Sequence, residues 1–192
     1  MNKFEIPYWK VNQLVIGIDE AGRGPMAGPL VVCGVVLPLH YSHPLINDSK
    51  KLTSKQREHC YKDIKKDALL IVVEVVSAKD IDKVNIYKAT QQAMEKIIHT
   101  AQVFALIDAM PVHSDGGSLS IIKGDQQSIS IAAASIIAKV MRDKIMEIAD
   151  EIYPQYGFKK HKGYPTKAHK AAMIEYGLSP LHRRSFHFKS SS

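Results

Sequence analysis

Apolar residues in this chain fall into short β-branched runs with helical periodicity between them. Leu14–Ile18, Leu30–Leu37, Leu69–Val76, Val103–Ile107 and Ser118–Ile122 read as strands. Thr53 followed by Gln56 makes a capping box, so Ser54 to Asp67 is predicted as a helix. Ile86 to Thr100 carries Ala89, Ala93, Met94, Ile97 and Ile98 at helical spacing. Ser128 to Glu151 is the longest predicted helix, buried at its Ala/Ile-rich start and closed by Pro154. Thr166 caps a last helix that runs to Tyr176 and stops at Gly177. Pro38–Pro44 and the basic Tyr156–Pro165 read as loops, and the terminal "LHRRSFHF" has no period. The pattern predicts an α/β fold: a mixed sheet flanked by helices, with a helical C-terminal part. We expect a body over residues 1–152 and a C-terminal extension over 153–192, with Ser190–Ser192 as a tail.

Length and composition add little to this but exclude some classes. At 192 residues, 45% hydrophobic and 23% charged, the chain can bury a real core. No apolar run reaches the length of a membrane span, and Met1–Lys10 lacks the apolar core of a signal peptide, so the expected location is cytoplasmic. Cys33 and Cys60 have no CxxC partner, which argues against a disulfide framework or zinc.

Charge changes the picture more. The net charge is +7, and the excess is local. Lys50–Lys66 holds seven Lys/Arg against Glu58 and Asp63, and Lys159–Lys189 holds eight against Glu175. Such patches suit a phosphate backbone, although a solvated basic surface has the same composition.

The chemistry gathers at strand ends. Asp19 and Glu20 follow the first apolar run, Asp108 follows the fourth, and Asp125 lies in "IIKGDQQS" before the long helix. Ligands of α/β sheets collect at such ends. Two like charges at about 4 Å cost about 4 kcal/mol at an effective dielectric of 20, so converging carboxylates must protonate or bind a cation. All-oxygen ligands favour Mg2+ or Mn2+. Each acid alone also fits a turn or helix cap, Asp125 above all. Because Asp19 and Glu20 are adjacent, sharing one metal requires the chain to bend there.

The stretch "GRGPMAGP" lacks the Gly-Lys-Ser/Thr ending of a phosphate loop, and Pro25 and Pro29 oppose a helix. A hairpin turn explains it. So does a backbone that approaches a ligand closely, with Arg23 free to meet a phosphate.

Six blocks in order, "GIDEAGRGPMAGP", "DSKKL", "ALIDAM", "IIKGDQQSISIAAASIIAKVMRD", "YPQYGFKKHKGYPTKAH" and "HRRSF", make the sequence resemble bacterial ribonuclease HII over nearly its whole length. The resemblance implies an RNase H-like fold. It implies endonucleolytic cleavage of RNA in RNA–DNA hybrids and on the 5′ side of single ribonucleotides embedded in duplex DNA, leaving 3′-hydroxyl and 5′-phosphate. It places catalytic, metal-binding roles on Asp19, Glu20, Asp108 and Asp125, with Mg2+ or Mn2+, two ions during catalysis. The Gly22-Arg23-Gly24 backbone would read the 2′-hydroxyl, and Tyr164 would stack on the deoxyribose after the ribonucleotide. Lys50 and Lys51 resemble phosphate contacts. Ser128, a further substrate-binding candidate that also suits a helix cap, lies in the matched long helix with Lys139 and Arg142. The sequence departs from the family at Ala109, where glycine is frequent, and at Met26. Some members of the family carry a terminal sliding-clamp peptide, which Phe186 and Phe188 resemble; packed aromatics explain them as well. A monomer is the default.

Three rivals remain. Ribonuclease HIII carries an extra N-terminal domain, for which the stretch before Asp19 leaves no room. A non-enzymatic nucleic-acid-binding module needs the basic patches but not the acids. A nucleotide-binding protein would use the glycines. His161, His169, His182 and His187 lie in the basic C-terminal part, where contact with phosphate or solvent is expected.

Overall fold

The computed structural model describes residues 1–46, 52–112 and 114–186. Among them five strands form one sheet: β1 (Val15–Ala21), β2 (Leu30–Val36), β3 (Leu70–Val76), β4 (Phe104–Asp108) and β5 (Ser118–Ile121). Their order across the sheet is β3-β2-β1-β4-β5. β2 runs antiparallel to both β1 and β3, whereas β1, β4 and β5 are mutually parallel, so the sheet is mixed as the pattern predicts. The helices are α1 (Ile6–Trp9), α2 (Ser54–Asp67), α3 (Ala78–Val84), α4 (Ile86–Ala101), α5 (Ile129–Ile152), α6 (Phe158–His161) and α7 (Lys167–Tyr176).

The unbroken apolar run of β2 has a simple cause: helices cover both faces of the strand. Val31, Cys33 and Val35 pack with Ile64 of α2 and with Ile129, Ala133 and Ile137 of α5. The alternate residues Leu30, Val32 and Val36 pack with Met94 and Ile97 of α4. That is the period of two expected of a strand. Helix α5 also crosses β1 at backbone contact distance. A Cβ on Gly17 would lie 2.1 Å from the carbonyl carbon of Ser130, so only glycine admits the helix there. The first turn of α5 is pinned from the N-terminal segment. Buried Glu5 accepts hydrogen bonds from the Ser128 hydroxyl and, at 3.0 Å, from the Ser130 N–H, placing a carboxylate at the positive end of the helix.

The capping box of α2 forms as predicted, with Gln56 N–H donating to the Thr53 hydroxyl. Thr166 likewise caps α7. Two differences follow from contacts that no local pattern carries. β1 does not end at Ile18. Its pairing with β2 continues through Asp19↔Cys33 and Glu20↔Val32 to Ala21↔Val31, so both acids lie within the strand. The expected basic loop contains the single turn α6, which buries Phe158. Helices α1 and α3 are also too short to show a period; Ser77 caps α3 by accepting from the Asp80 N–H.

Candidate active site

The strand register sets the acids. β1 and β4 pair through Ile18↔Ile107, so Asp19 and Asp108 are the next residues on adjoining strands. β1 keeps its β2 partner beyond that point, while its pairing with β4 stops. Asp19 is 6% exposed, and its Oδ1 accepts from the Glu20 N–H at 2.7 Å. Burial first, then Glu20 and Asp108, holds the Asp19 carboxyl well above the usual carboxylate range, against hydrogen bonds from Ser135 and the Glu20 backbone. Burial also raises Glu20, with Asp108 adding to it and Arg23, at 3.5 Å, opposing it. Asp108 Oδ1 accepts from the Gly124 N–H at 2.7 Å. That bond ties the end of β4 to the turn Gly124–Gln126, on which Asp125 is fully buried.

Asp108 therefore acts on both Asp19 and Glu20, and the Asp108–Gly124 bond sets the turn that carries Asp125 next to the end of β4. The β1–β2 pairing continues through both Asp19 and Glu20, so the two acids follow each other within a paired strand rather than in a turn. Among the described residues no three His, Cys, Asp or Glu side chains already stand in a ligating array. The donor set nevertheless fits a hard divalent cation: carboxylate oxygens, mutual repulsion, and a buried Glu20 Oε2 with no hydrogen-bond partner among the described residues.

The glycine loop follows directly. Gly22 has φ +103°, and a Cβ there would lie 2.2 Å from Arg142 Nε. Two buried arginines hold the carbonyls of this loop. Arg142 donates from Nε to Pro29 O at 3.0 Å and from Nη2 to Ala27 O at 3.2 Å. Arg183 donates from Nε to Gly28 O at 3.0 Å, from Nη1 to Arg23 O at 3.1 Å and from Nη2 to Gly22 O at 2.6 Å. Burial, with Arg142 beside it, pushes Arg183 down to about 9, still charged at neutral pH.

A cleft of about 430 Å³ joins these parts. Glu20, Gly22, Arg23, Gly24 and Tyr164 all line it, together with Arg57, Ser135 and Lys139. Tyr164 is 45% exposed and comes within 3.7 Å of where a Gly24 Cβ would stand. The segment carrying Tyr164 is held by histidines. His182 Nδ1 accepts from the Ser179 N–H at 2.9 Å, so its proton is on Nε2, which donates to His169 Nε2 at 3.0 Å. His169 Nδ1 then donates to Tyr164 O at 2.9 Å. His161 stacks on His169 with ring centroids 4.3 Å apart.

These contacts correct the expectation that His169 and His182 meet phosphate or solvent: they are 0% and 3% exposed. Ser128 is fully buried, its hydroxyl donating to Glu5 and accepting from the Ile131 N–H, so the capping role is the one it has. Phe186 packs on the α4 side of the sheet and against the Arg183 guanidinium at 5.0 Å, as a packed aromatic. Lys50, Lys51, His187, Phe188 and Ser190–Ser192 lie outside the described residues. Sequence reasoning missed Arg57 and Ser135 in the cleft and Arg183 behind it. An arginine in the unpatterned "HRRSF" is the only signal for the last.

A family model described as ribonuclease HII matches residues 16–189. A relative named ribonuclease HII from Enterococcus faecalis is 48% identical over 190 residues, covering 97% of this chain and 74% of that protein. Another, from Acholeplasma laidlawii, is 50% identical over 182 residues, covering 93% and 90%. The solved structure of the PCNA:RNase HII complex from Archaeoglobus fulgidus superposes with a TM-score of 0.79 at 26% identity, covering 93% of this chain and 98% of that one.

Proposed function

Since the chain belongs to the ribonuclease HII family of metal-dependent endoribonucleases acting on RNA–DNA hybrids, we propose that it also cuts on the 5′ side of single ribonucleotides embedded in duplex DNA. The observation that carries this reading is the shared cleft, in which Glu20 of the acid group, the Gly22–Gly24 backbone and exposed Tyr164 line one cavity. A lone ribonucleotide must be told from its neighbours by its 2′-hydroxyl, and a side-chain-free backbone is the surface that can approach a sugar that closely. Asp19, Glu20, Asp108 and Asp125 are the residues to hold divalent cations, Mg2+ or Mn2+. Such ions supply Lewis acidity to the attacked phosphodiester and its leaving oxygen. Gly22, Arg23 and Gly24 bind the ribose, Tyr164 stacks on the following deoxyribose, and Arg23, Lys50, Lys51, Arg57 and Lys139 meet phosphates. The stretch 153–192 acts as the substrate-binding extension. Ribonucleotides left in DNA by replication, and removed by excision repair in the cytoplasm, are the matching substrate, and a monomer suffices.

An end-labelled DNA duplex with one ribonucleotide, incubated with Mg2+, Mn2+ or EDTA, tests the proposal. Metal-dependent cutting just 5′ of the ribonucleotide, nearly abolished by Asp108→Asn in a folded protein, is the expected result. Cutting of long hybrids alone would overturn the embedded-ribonucleotide reading while leaving the family's hybrid activity in place.

A further inference from the structure

We infer that Arg183 is a positioning residue for ribose recognition: buried behind the cleft, its guanidinium aims the Arg23 and Gly24 N–H groups at the substrate sugar. This role rests on the proposed reading that the Gly22–Gly24 backbone contacts the 2′-hydroxyl, and it adds what holds that backbone in place. A trans peptide is planar, and its N–H points opposite to its C=O. The carbonyls of Gly22 and Arg23 belong to the same peptide groups as the N–H groups of Arg23 and Gly24. Both carbonyls are fixed on Arg183, at 2.6 and 3.1 Å. Their N–H groups therefore point away from the guanidinium, while the residues that carry them line the cleft. A cation bonded to each carbonyl also polarises the peptide and strengthens the N–H as a donor.

Only arginine meets the geometry. It presents donors in a rigid planar fork and here reaches three carbonyls of one loop, the third being Gly28 O at 3.0 Å. A lysine ammonium carries its three donors on one nitrogen and cannot spread them across three separated carbonyls. Arg183 is itself fixed: its backbone N–H donates to Met26 O at 2.8 Å, and its guanidinium lies against Phe186. Arg142 holds the other end of the loop, at Ala27 and Pro29, and bonds neither of the two carbonyls that matter for the sugar. Arg183 is 2% exposed and acts through the backbone.

The test is binding without cleavage. Fluorescence anisotropy in EDTA compares a DNA duplex carrying one ribonucleotide with the same duplex in all-DNA form, for wild type, Arg183→Gln and Arg183→Lys. The wild type should prefer the ribonucleotide duplex by about threefold to tenfold, the worth of one or two hydrogen bonds. Both variants should lose that preference while binding the all-DNA duplex within about twofold of wild type, because the phosphate contacts proposed for Lys50, Lys51, Arg57 and Lys139 do not pass through Arg183. Variants that keep the wild-type ratio, or weaken on both duplexes equally, overturn the inference alone. A wild-type ratio of one overturns the reading of the glycine loop and this inference with it. If Arg183→Gln does not melt cooperatively, Arg183→Lys, which keeps stem and charge, carries the test.

Discussion

Acidification should weaken the fold through one pair of side chains, His169 and His182. From Ser179 through His182 and His169 to Tyr164, the ring nitrogens alternate between acceptor and donor, which requires both imidazoles to be neutral. A proton added to either ring sets two N–H groups against each other across 3.0 Å or against the Ser179 N–H. Burial, then His169, accordingly pushes His182 from 6.5 down to about 4, and burial also lowers His169. The unfolded chain takes up a proton below the ordinary histidine value that the folded chain refuses. The stabilisation is therefore complete above that value and is lost as pH falls toward the lowered one. At about pH 5 the loss is about 2 kcal/mol for His182. Urea unfolding of wild type and His182→Gln at about pH 7.5 and about pH 5 measures it. Glutamine keeps a donor toward His169 and does not titrate, and the carboxylates contribute alike to both proteins. The wild-type drop should exceed that of the variant by about 2 kcal/mol. Equal drops would refute the tautomer assignment and with it the neutral tether on Tyr164.

Two further outcomes follow from strain and charge near the acids. Ala109 holds φ +49° directly after Asp108, so Ala109→Gly should relieve more backbone strain than it adds chain entropy, a net gain of about 0.5–1 kcal/mol in thermal melts; a lower melting temperature would contradict this. Asp19 is raised by burial and neighbouring acids, so its contribution is present at low pH and lost as pH rises through its folded value. Asp19→Asn should therefore be inactive yet more stable at about pH 8, by about 1–2 kcal/mol, with the gap closing toward about pH 4; a gap independent of pH would exclude acid repulsion as its cause.

The features legible in the sequence are those that near neighbours along the chain decide. The Thr53–Gln56 box, the cap at Thr166 and the apolar run that makes β2 a strand buried on both sides depend on residues within a few positions. Asp19, Glu20 and Asp108 stand out because acids at the ends of apolar runs are costly, and the register explains their meeting. The extent of β1 is misread because an unpartnered Asp-Glu pair looks like a strand end. Hydrogen bonding to the Val31–Cys33 stretch of β2 carries the strand past it.

The parts that stay hidden share a different physics. Arg142, Arg183, His169 and His182 are polar residues whose partners are backbone groups or one another, and some of those partners are far away: Arg183 spans 161 positions to Gly22 and Arg142 spans 113 to Pro29. A hydrogen bond to a carbonyl leaves no mark on the sequence of the acceptor, since every residue has one. Basic residues are expected at the surface, so "HRRSF" and "HKGYPTKAH" read as a phosphate-facing patch. Three of these residues, His169, His182 and Arg183, are buried and serve the opposite purpose. Their charges and N–H groups turn inward and fix a glycine backbone that has no side chains with which to fix itself. A loop with glycine at positions 22, 24 and 28 gives up side-chain packing at those positions. The cations and imidazoles of the C-terminal segment supply that packing from behind, which is why Met26, Ala27 and Gly28 are sewn by backbone hydrogen bonds to Gly163, Leu181 and Arg183.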